Sequence, residues 1–151
     1  MKTIFITGAS SGLGKATAKL LASKGWNVIA TMRHPEKETE LNHIKNIHIL
    51  PLDVTDLSSI EKVVAAAVQI GPVDVVFNNA GYGLTGPLEG YKDEQVTRQF
   101  NTNVFGSYPG NRSFSSSFKG KTKWLNYQHN FYRRIGRISF FFHLPCYEMG
   151  C

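Results

Sequence analysis

The chain has 151 residues, about the size of one domain, and carries 17 Lys and Arg against 11 Asp and Glu, a formal net charge of +6. It contains no run of about 18 apolar residues, so we expect no transmembrane helix and no membrane partner. The N-terminus lacks an apolar leader, which favours a cytoplasmic protein, and two cysteines are too few for a disulfide framework.

The first 31 residues predict one β-α-β unit. The apolar, β-branched run 3–7 indicates a buried strand, residues 15–24 have helical spacing, and residues 26–31 indicate a second strand. Two parallel strands joined by a helix cross over in the right-handed sense. We expect the apolar positions of this helix to be Leu13, Ala16, Ala18, Leu20 and Leu21.

The alternation of strands and helices continues through residue 106. We predict a short polar turn or helix at 35–41, strands at 47–52 and 73–77, and helices at 58–69 and from 91 to 103. Asp56 or Ser58 can cap the helix at 58–69, whose apolar face carries Ile60, Val63, Val64, Ala67 and Val68. This pattern predicts an α/β fold, a Rossmann-type doubly wound parallel sheet truncated at about four strands.

A glycine-rich loop follows the first strand and opens the first helix. Its glycines allow a tight turn and a close approach of the backbone to a pyrophosphate, and the helix N-terminus adds free N–H groups. A simple tight turn is the alternative, but the complete β-α-β unit favours cofactor binding. We assign to the cofactor the loop residues Gly8, Ser10, Ser11, Gly12, Leu13 and Gly14.

The end of the second strand indicates which cofactor is bound. An acidic residue there would bind the adenosine ribose of NAD, whereas a nearby Arg would pair with the 2′-phosphate of NADP. Residues 30–33 contain Arg33 and no acid, so we predict NADP, with NAD possible if Arg33 is an ordinary solvated side chain.

Four motifs, in order and at the usual spacing, resemble the short-chain dehydrogenase/reductase family. They are Thr7-Gly8-x3-Gly12-x-Gly14, Asp53-Val54, Asn78-Asn79-Ala80-Gly81 and Asn101-x-Asn103-Val104-Phe105-Gly106. The resemblance covers residues 1–106. It implies an often oligomeric NAD(P)-dependent oxidoreductase that acts on a small-molecule carbonyl or secondary alcohol.

The resemblance also implies roles for individual residues. Thr7 would order the glycine loop, and Asp53, followed by Val54, would reach the adenine. Asn79, with Ala80 and Gly81 after it, would steady the central sheet beside the cofactor. Asn103 would be the catalytic Asn, which kinks a helix and holds a water in a proton relay. The alternatives are that Asp53 caps the next turn and that the two Asn residues are satisfied polar groups.

Residues 107–151 differ sharply from the first 106. Residues 1–106 contain ten basic and ten acidic residues, so the whole surplus of charge lies in 107–151, with 11 of the 18 aromatic residues. The family's chemistry requires Tyr-x3-Lys and a Ser before it. Neither pattern is present, because none of the tyrosines after residue 106, Tyr108, Tyr127, Tyr132 and Tyr147, is followed by Lys four positions later.

The genetic code offers an explanation. Read one nucleotide later, the codons allowed for 144–148 can encode Tyr-x3-Lys, and thirteen positions earlier those for Phe131 and Tyr132 can encode Ser. We therefore expect the frame to slip near Gly106 and Ser107, which divides the chain into a nucleotide-binding half-domain, 1–106, and an out-of-frame tail, 107–151, without a native fold. The chain would then be inactive, and the alternative to an enzyme is a non-catalytic nucleotide-binding remnant.

Two further readings of the tail are disfavoured. Basic and aromatic residues alternate near Lys123 and Trp124, as in proteins that bind single strands, but accidental composition explains them, so we expect no nucleic-acid partner. The His and Cys residues of the tail match no standard metal site, and we expect no metal. Substrate identity and oligomeric state stay open, since the family places both in its C-terminal half.

Overall fold

The computed structural model describes residues 1–84 and 86–106, so the predicted tail lies outside the described residues. Four parallel strands form one sheet in the order β3-β2-β1-β4: β1 (Thr3–Thr7), β2 (Asn27–Met32), β3 (Ile47–Pro51) and β4 (Val75–Phe77). The helices are α1 (Gly12–Ser23), α2 (Leu57–Ile70) and α3 (Asp93–Phe100). The predicted Rossmann-type doubly wound parallel sheet is confirmed.

Strand β1 is the centre of the sheet, and all five of its residues are buried. It pairs with β2 from Thr3 opposite Asn27 to Thr7 opposite Thr31, and with β4 on its other side. The strand order therefore changes direction at β1, and the carboxyl ends of β1 and β4 lie side by side. In open α/β sheets this is where ligands bind.

Two apolar layers cover the two faces of the sheet, because side chains alternate along a strand. On one face, Ile4 and Ile6 pack with Ala18 and Ala22 of α1. On the other face, Phe5 packs with residues of α2 and of β2 and β4, among them Ile29, Ile60, Val63, Val64, Ala67 and Val76.

Helix α1 exposes three of the five residues predicted for its apolar face, Leu13, Ala16 and Leu20. Leu13 is 45% exposed and Leu20 is 55% exposed, whereas Gly14, Ala18 and Ala22 are buried. Small side chains lie on the sheet side because they let the helix approach the strands closely. On α2 the prediction is wrong only for Val68, which is 42% exposed.

Other predicted boundaries are close to those observed. Asp56 caps α2, since its carboxylate accepts the N–H of Ser58 at 2.9 Å. The polar segment after β2 contains two short 3-10 turns, Pro35–Lys37 and Leu41–His43, and the last predicted helix is shorter, because α3 changes into a π-helical turn at Asn101–Phe105. Among the described helices none is long and apolar enough to cross a membrane.

Candidate cofactor-binding site

The glycine loop and the loop after β4 are joined by the side chain of Thr7. This residue ends β1 and is 5% exposed. Its Oγ1 accepts the backbone N–H of Asn79 at 3.0 Å and that of Ala80 at 2.9 Å. One hydroxyl therefore fixes the start of the loop after β4 against the end of β1.

Asn79 completes this connection from the other side. Its Nδ2 donates to the carbonyl oxygen of Thr7 at 3.1 Å and to that of Gly8 at 3.0 Å. Both N–H groups of the amide are thus used by the glycine loop. The half-buried Asn79 therefore links the loop after β4 to the first turn of the glycine loop. Gly81, two positions later, is exposed.

Two glycines are required here by close backbone contacts. A Cβ on Gly14 would lie 2.5 Å from the carbonyl oxygen of Gly8 and 2.5 Å from Nδ2 of Asn79. Gly8 has a φ of +68°, and its Cβ would lie 2.8 Å from Cα of Ala80. Real Cβ contacts of this length are essentially absent from proteins, so the loop, α1 and the loop after β4 can converge only through glycine.

The N-terminus of α1 fits a pyrophosphate. The first amides of a helix have no partner within the helix, Ser11 at the N-cap provides no side-chain hydrogen bond, and the first turn contains no acidic residue. A Cβ on Gly12, which has a φ of +55°, would meet nothing within 4 Å. Ser10, Ser11 and Leu13 are exposed around this opening, so an anion can approach the amides without displacing protein atoms.

Arg33 and Asp53 lie at the adenosine end predicted from the sequence. Arg33 is exposed directly after β2 and takes part in none of the ion pairs found among the described residues. Oδ1 of Asp53 accepts from N and Oγ1 of Thr55, at 2.9 and 2.7 Å. Burial raises the pKa of Asp53, but the bonds from Thr55 and the charges of Arg33 and Arg98 outweigh it, so the pKa lies below its ordinary value. Asp53 is therefore an anion that also organises the turn after β3.

Asn103 lies in the π-helical turn and binds a backbone segment next to the glycine loop. Its Oδ1 accepts the N–H of Tyr82 at 3.0 Å, and its Nδ2 donates to the carbonyl oxygen of Tyr82 at 2.7 Å. Nε2 of Gln99 donates to the same carbonyl at 3.2 Å. A Cβ on Gly81 would come within 3.0 Å of Oδ1 of Asn103, which makes the contact a close one.

The same turn contacts the loop that carries Asp53. A Cβ on Gly106 would lie 2.9 Å from the carbonyl oxygen of Val54 and 2.9 Å from that of Thr102. Val54 therefore connects the adenosine end with the segment that holds Asn103. The predicted site residues lie at the end of β1, at the start of α1, in the segments after β2, β3 and β4, and, for Asn103, in the π-helical turn.

Several supporting residues were missed by sequence reasoning. Oγ1 of Thr31 donates to the carbonyl oxygen of Ile6 at 2.9 Å, and the N–H of Ala9 donates to the carbonyl of Thr31 at 2.9 Å. Gln99 and Tyr82 were also missed. A polar residue at the end of a buried strand was a usable signal for Thr31, whereas nothing in the sequence indicates which backbone groups Gln99 reaches.

The geometry agrees with comparisons to known proteins. A family model described as short chain dehydrogenase matches residues 2–124. The chain is 47% identical over 105 residues to an uncharacterized oxidoreductase of Schizosaccharomyces pombe, an alignment that covers 69% of this chain and 35% of the relative. It is 42% identical over 104 residues to a 3-ketodihydrosphingosine reductase of Bacteroides thetaiotaomicron, with 68% and 37% covered. The chain thus spans little more than a third of the length of these relatives.

A solved structure, that of ElxO with NADP bound, resembles the fold closely. The TM-score is 0.74 at 30% sequence identity, and the match covers 83% of this chain and 54% of the solved one. The NADP in that structure belongs to ElxO.

Proposed function

Because the chain belongs to the short-chain dehydrogenase family, we propose that it binds NADP(H) in preference to NAD(H). We further propose that the parent enzyme, the in-frame protein from which a frame slip near Gly106 and Ser107 would derive this chain, transfers hydride between the nicotinamide and a carbonyl or secondary alcohol, with Asn103 as a catalytic residue. Hydride chemistry is supplied by the cofactor, so the chain's own contribution in residues 1–106 is to bind and orient it.

The observation that carries the cofactor preference is Arg33. Its guanidinium is exposed at the carboxyl end of β2, makes no ion pair with any described residue, and has no acidic residue beside it in 30–33. A guanidinium can hold a phosphate through two parallel hydrogen bonds. ElxO, which shares the fold, was solved with NADP.

Replacement of Arg33 tests this preference. In Arg33→Gln we expect the Kd for NADPH to rise by about tenfold to a hundredfold, because a charge-assisted hydrogen bond contributes about 1.5–3 kcal/mol. The Kd for NADH, which has no 2′-phosphate, should stay within about twofold. Calorimetric titration of both cofactors measures the ratio.

Lys45→Gln is a matched control, since Lys45 is an exposed cation at the far end of the same segment between β2 and β3. Its loss removes the same charge from the protein without removing a group from the carboxyl end of β2. An equal loss of NADPH affinity in both variants, or an equal loss of NADPH and NADH affinity in Arg33→Gln, would contradict the assignment.

We propose that the 151-residue chain itself turns over negligibly. Positioned acid–base groups contribute about 10²–10⁴ to the rate, and the printed sequence has neither the Tyr-x3-Lys pair nor the Ser at family spacing before it. The expected result is no oxidation of NADPH above background with a panel of small ketones and aldehydes. Robust turnover by the purified chain overturns the proposal.

The second candidate is a non-catalytic nucleotide-binding product whose reading frame changes near Gly106 and Ser107. It is favoured by the charge distribution, zero in 1–106 and +6 in 107–151, and by the codons that allow Tyr-x3-Lys at 144–148 in the next frame. The coding DNA tests it. The codons of Leu144 and Pro145 must contain TAC in the shifted frame, and any other triplet excludes the proposed slip.

A further inference from the structure

The segment between β2 and β3, residues 33–46, is held to α1 by ion pairs, and we name it the connector. Nζ of Lys15 lies 3.1 Å from Oε2 of Glu38 and 2.8 Å from Oε1 of Glu40. Lys19, one turn further along α1, pairs with the other oxygen of Glu40. Lys15 directly follows Gly14, so these contacts join the connector to the part of α1 next to the glycine loop.

Glu38 is the buried member of this group. Its side chain is 2% exposed, and its Oε1 accepts the N–H groups of Glu40 at 2.8 Å and of Leu41 at 3.0 Å. Burial raises the pKa of Glu38, but the two amides and Lys15 more than offset it, so the pKa lies below its usual value and the group is an anion. Among the described residues, these two amides belong to the connector itself, and the ion pair of Glu38 is to Lys15 of α1.

A buried carboxylate that anchors a loop carries a desolvation cost in free energy. Removing an ion from water costs several kcal/mol unless partners replace the lost hydration, and an apolar residue often holds a fold as well. Leu41, which is 0% exposed, already provides an apolar anchor three residues away. The additional anchor at Glu38 is directional: it fixes where the connector lies along α1, which apolar packing does not do.

Arg33 lies between two backbone segments that are each held by hydrogen bonds. On one side, the carbonyl of Met32 accepts the N–H of Leu52 at 2.9 Å. On the other side, the 3-10 turn ties His34 to Lys37 at 3.2 Å and Pro35 to Glu38 at 3.1 Å by backbone hydrogen bonds. The path of the backbone at Arg33 is therefore set by β2 at one end and by Glu38 at the other.

We propose that Glu38 is a positioning residue for the 2′-phosphate of the cofactor: by joining the connector to Lys15 beside the glycine loop, it holds Arg33 at the distance from α1 that one dinucleotide can span. The proposal rests on the proposed preference for NADP(H). Glu38 acts through Arg33 and makes no contact with the cofactor itself. Lys15 completes the arrangement, because it compensates the negative charge that Glu38 and Glu40 bring near a phosphate site.

The sign of the effect separates positioning from simple electrostatics. A carboxylate near a phosphate repels it, so the removal of a negative charge alone would strengthen NADPH binding. Loss of the anchor would weaken it, because Arg33 must then be ordered at the moment of binding. The two explanations therefore predict opposite changes for one substitution.

The decisive variant is Glu38→Gln, which keeps the shape of the side chain and one acceptor oxygen but loses the charge that Lys15 binds. We expect the Kd for NADPH to rise about tenfold, with the Kd for NADH within about twofold. Glu36→Gln is the matched control, because Glu36 lies on the same 3-10 turn, is 63% exposed, and pairs with His34 of the connector rather than with a lysine of α1. It should leave NADPH affinity unchanged or slightly higher.

Glu40→Gln keeps the test decisive if Glu38→Gln does not fold. Glu40 is 54% exposed and supplies two of the three ion pairs between the described connector and α1, so the variant should fold normally and raise the Kd for NADPH about threefold, without affecting NADH. An unchanged or tighter NADPH affinity in the folded variant overturns the proposal, as does an equal change for both cofactors.

Hydrogen exchange distinguishes this failure from that of the proposed function. In the chain without cofactor, the amides of Lys37 and Glu38 should exchange at least about tenfold faster in Glu38→Gln than in the unaltered chain, while those of β1 should not change. Unaltered exchange would show that Glu38 does not hold the connector to α1. If the unaltered chain binds NADH as tightly as NADPH, the proposed preference fails, whatever the exchange shows.

Discussion

Different kinds of interaction hold the two ends of the candidate cofactor site. At the phosphate end, Thr7, Gly8, Gly14 and Asn79 converge through uncharged hydrogen bonds and glycine contacts that leave no room for a Cβ. At the predicted adenosine end, ion pairs of Lys15 and Lys19 hold the connector to α1, and Asp53 is an anion. Under the proposed function, shape would decide whether a dinucleotide can approach at all, and charge would decide which dinucleotide is preferred.

This difference has an energetic consequence. The hydrogen bonds of Thr7 and Asn79 join two loops of the central sheet, so their loss affects folding as well as binding. Exposed ion pairs such as those of Glu40 contribute little to the free energy of unfolding and weaken with salt. The structure of the phosphate end should therefore be insensitive to pH and ionic strength but intolerant of substitution. The ion pairs of the adenosine end should weaken with changes of pH and of ionic strength.

The largest effect is expected from Gly14→Ala. The new Cβ would lie 2.5 Å from the carbonyl oxygen of Gly8, a backbone atom that cannot move without moving β1. We expect a loss of at least about 3 kcal/mol in the free energy of unfolding and no measurable binding of NADPH. Denaturant unfolding and calorimetric titration measure the two quantities.

Gly90→Ala is the control for this substitution. A Cβ on Gly90 would make only an ordinary contact, 3.8 Å from Cγ of Pro87. It should leave unfolding and NADPH binding within experimental error of the unaltered chain. Normal NADPH binding by Gly14→Ala would show that the phosphate end is not shape-limited.

A second, smaller effect is expected from Asn79→Asp. The substitution keeps the shape but places a carboxylate oxygen opposite the carbonyls of Thr7 and Gly8, which now accept from Nδ2 at 3.1 and 3.0 Å. We expect the free energy of unfolding to fall by about 2 kcal/mol. Asn79→Ala, which removes the donor without adding a repulsive oxygen, should be less damaging. If thermal unfolding shows Asn79→Asp to be more stable than Asn79→Ala, the two hydrogen bonds donated by Asn79 do not stabilise the fold.

The smallest effect is the pH dependence of the connector. Lys15, and after it Lys19, lower the pKa of Glu40 from 4.5 to about 2. Since the pKa in the folded chain is below the unfolded value, this stabilisation is present above pH 4.5 and is lost as the pH falls towards 2. The difference in unfolding midpoint between the unaltered chain and Glu40→Gln should shrink across that window. If the difference in unfolding midpoint is constant with pH, the ion pairs of Glu40 do not contribute to the stability of the fold.

Much of the fold and of the phosphate end could be predicted from the sequence. Short apolar runs identified all four strands of the described sheet, and the glycine loop is local: Gly8 and Gly14 are six positions apart and follow β1 directly. The roles assigned to Arg33, Asp53 and Asn103 stay predictions, since the geometry shows their neighbours and not a bound cofactor.

The rest depends on contacts that local patterns do not contain. Lys15 and Glu38 are 23 positions apart, and residues 35–41 were predicted only as a short polar turn or helix, so the burial of Glu38 could not be foreseen. Leu13 and Leu20 fit a helical apolar face, but the side of α1 on the sheet was decided by how closely Gly14 and Ala18 let it approach. The change from α3 to a π-helical turn likewise has no signature in a pattern of apolar spacing.

The central claim is that residues 1–106 form a cofactor site with a preference for NADP(H). Thermal unfolding of the 151-residue chain with NADPH and with NADH at millimolar concentration tests it most directly. A ligand at a hundred times its Kd stabilises the fold by about 2.7 kcal/mol, so NADPH should raise the unfolding midpoint by several degrees and NADH by clearly less. No shift with NADPH, or a larger shift with NADH, would contradict the account.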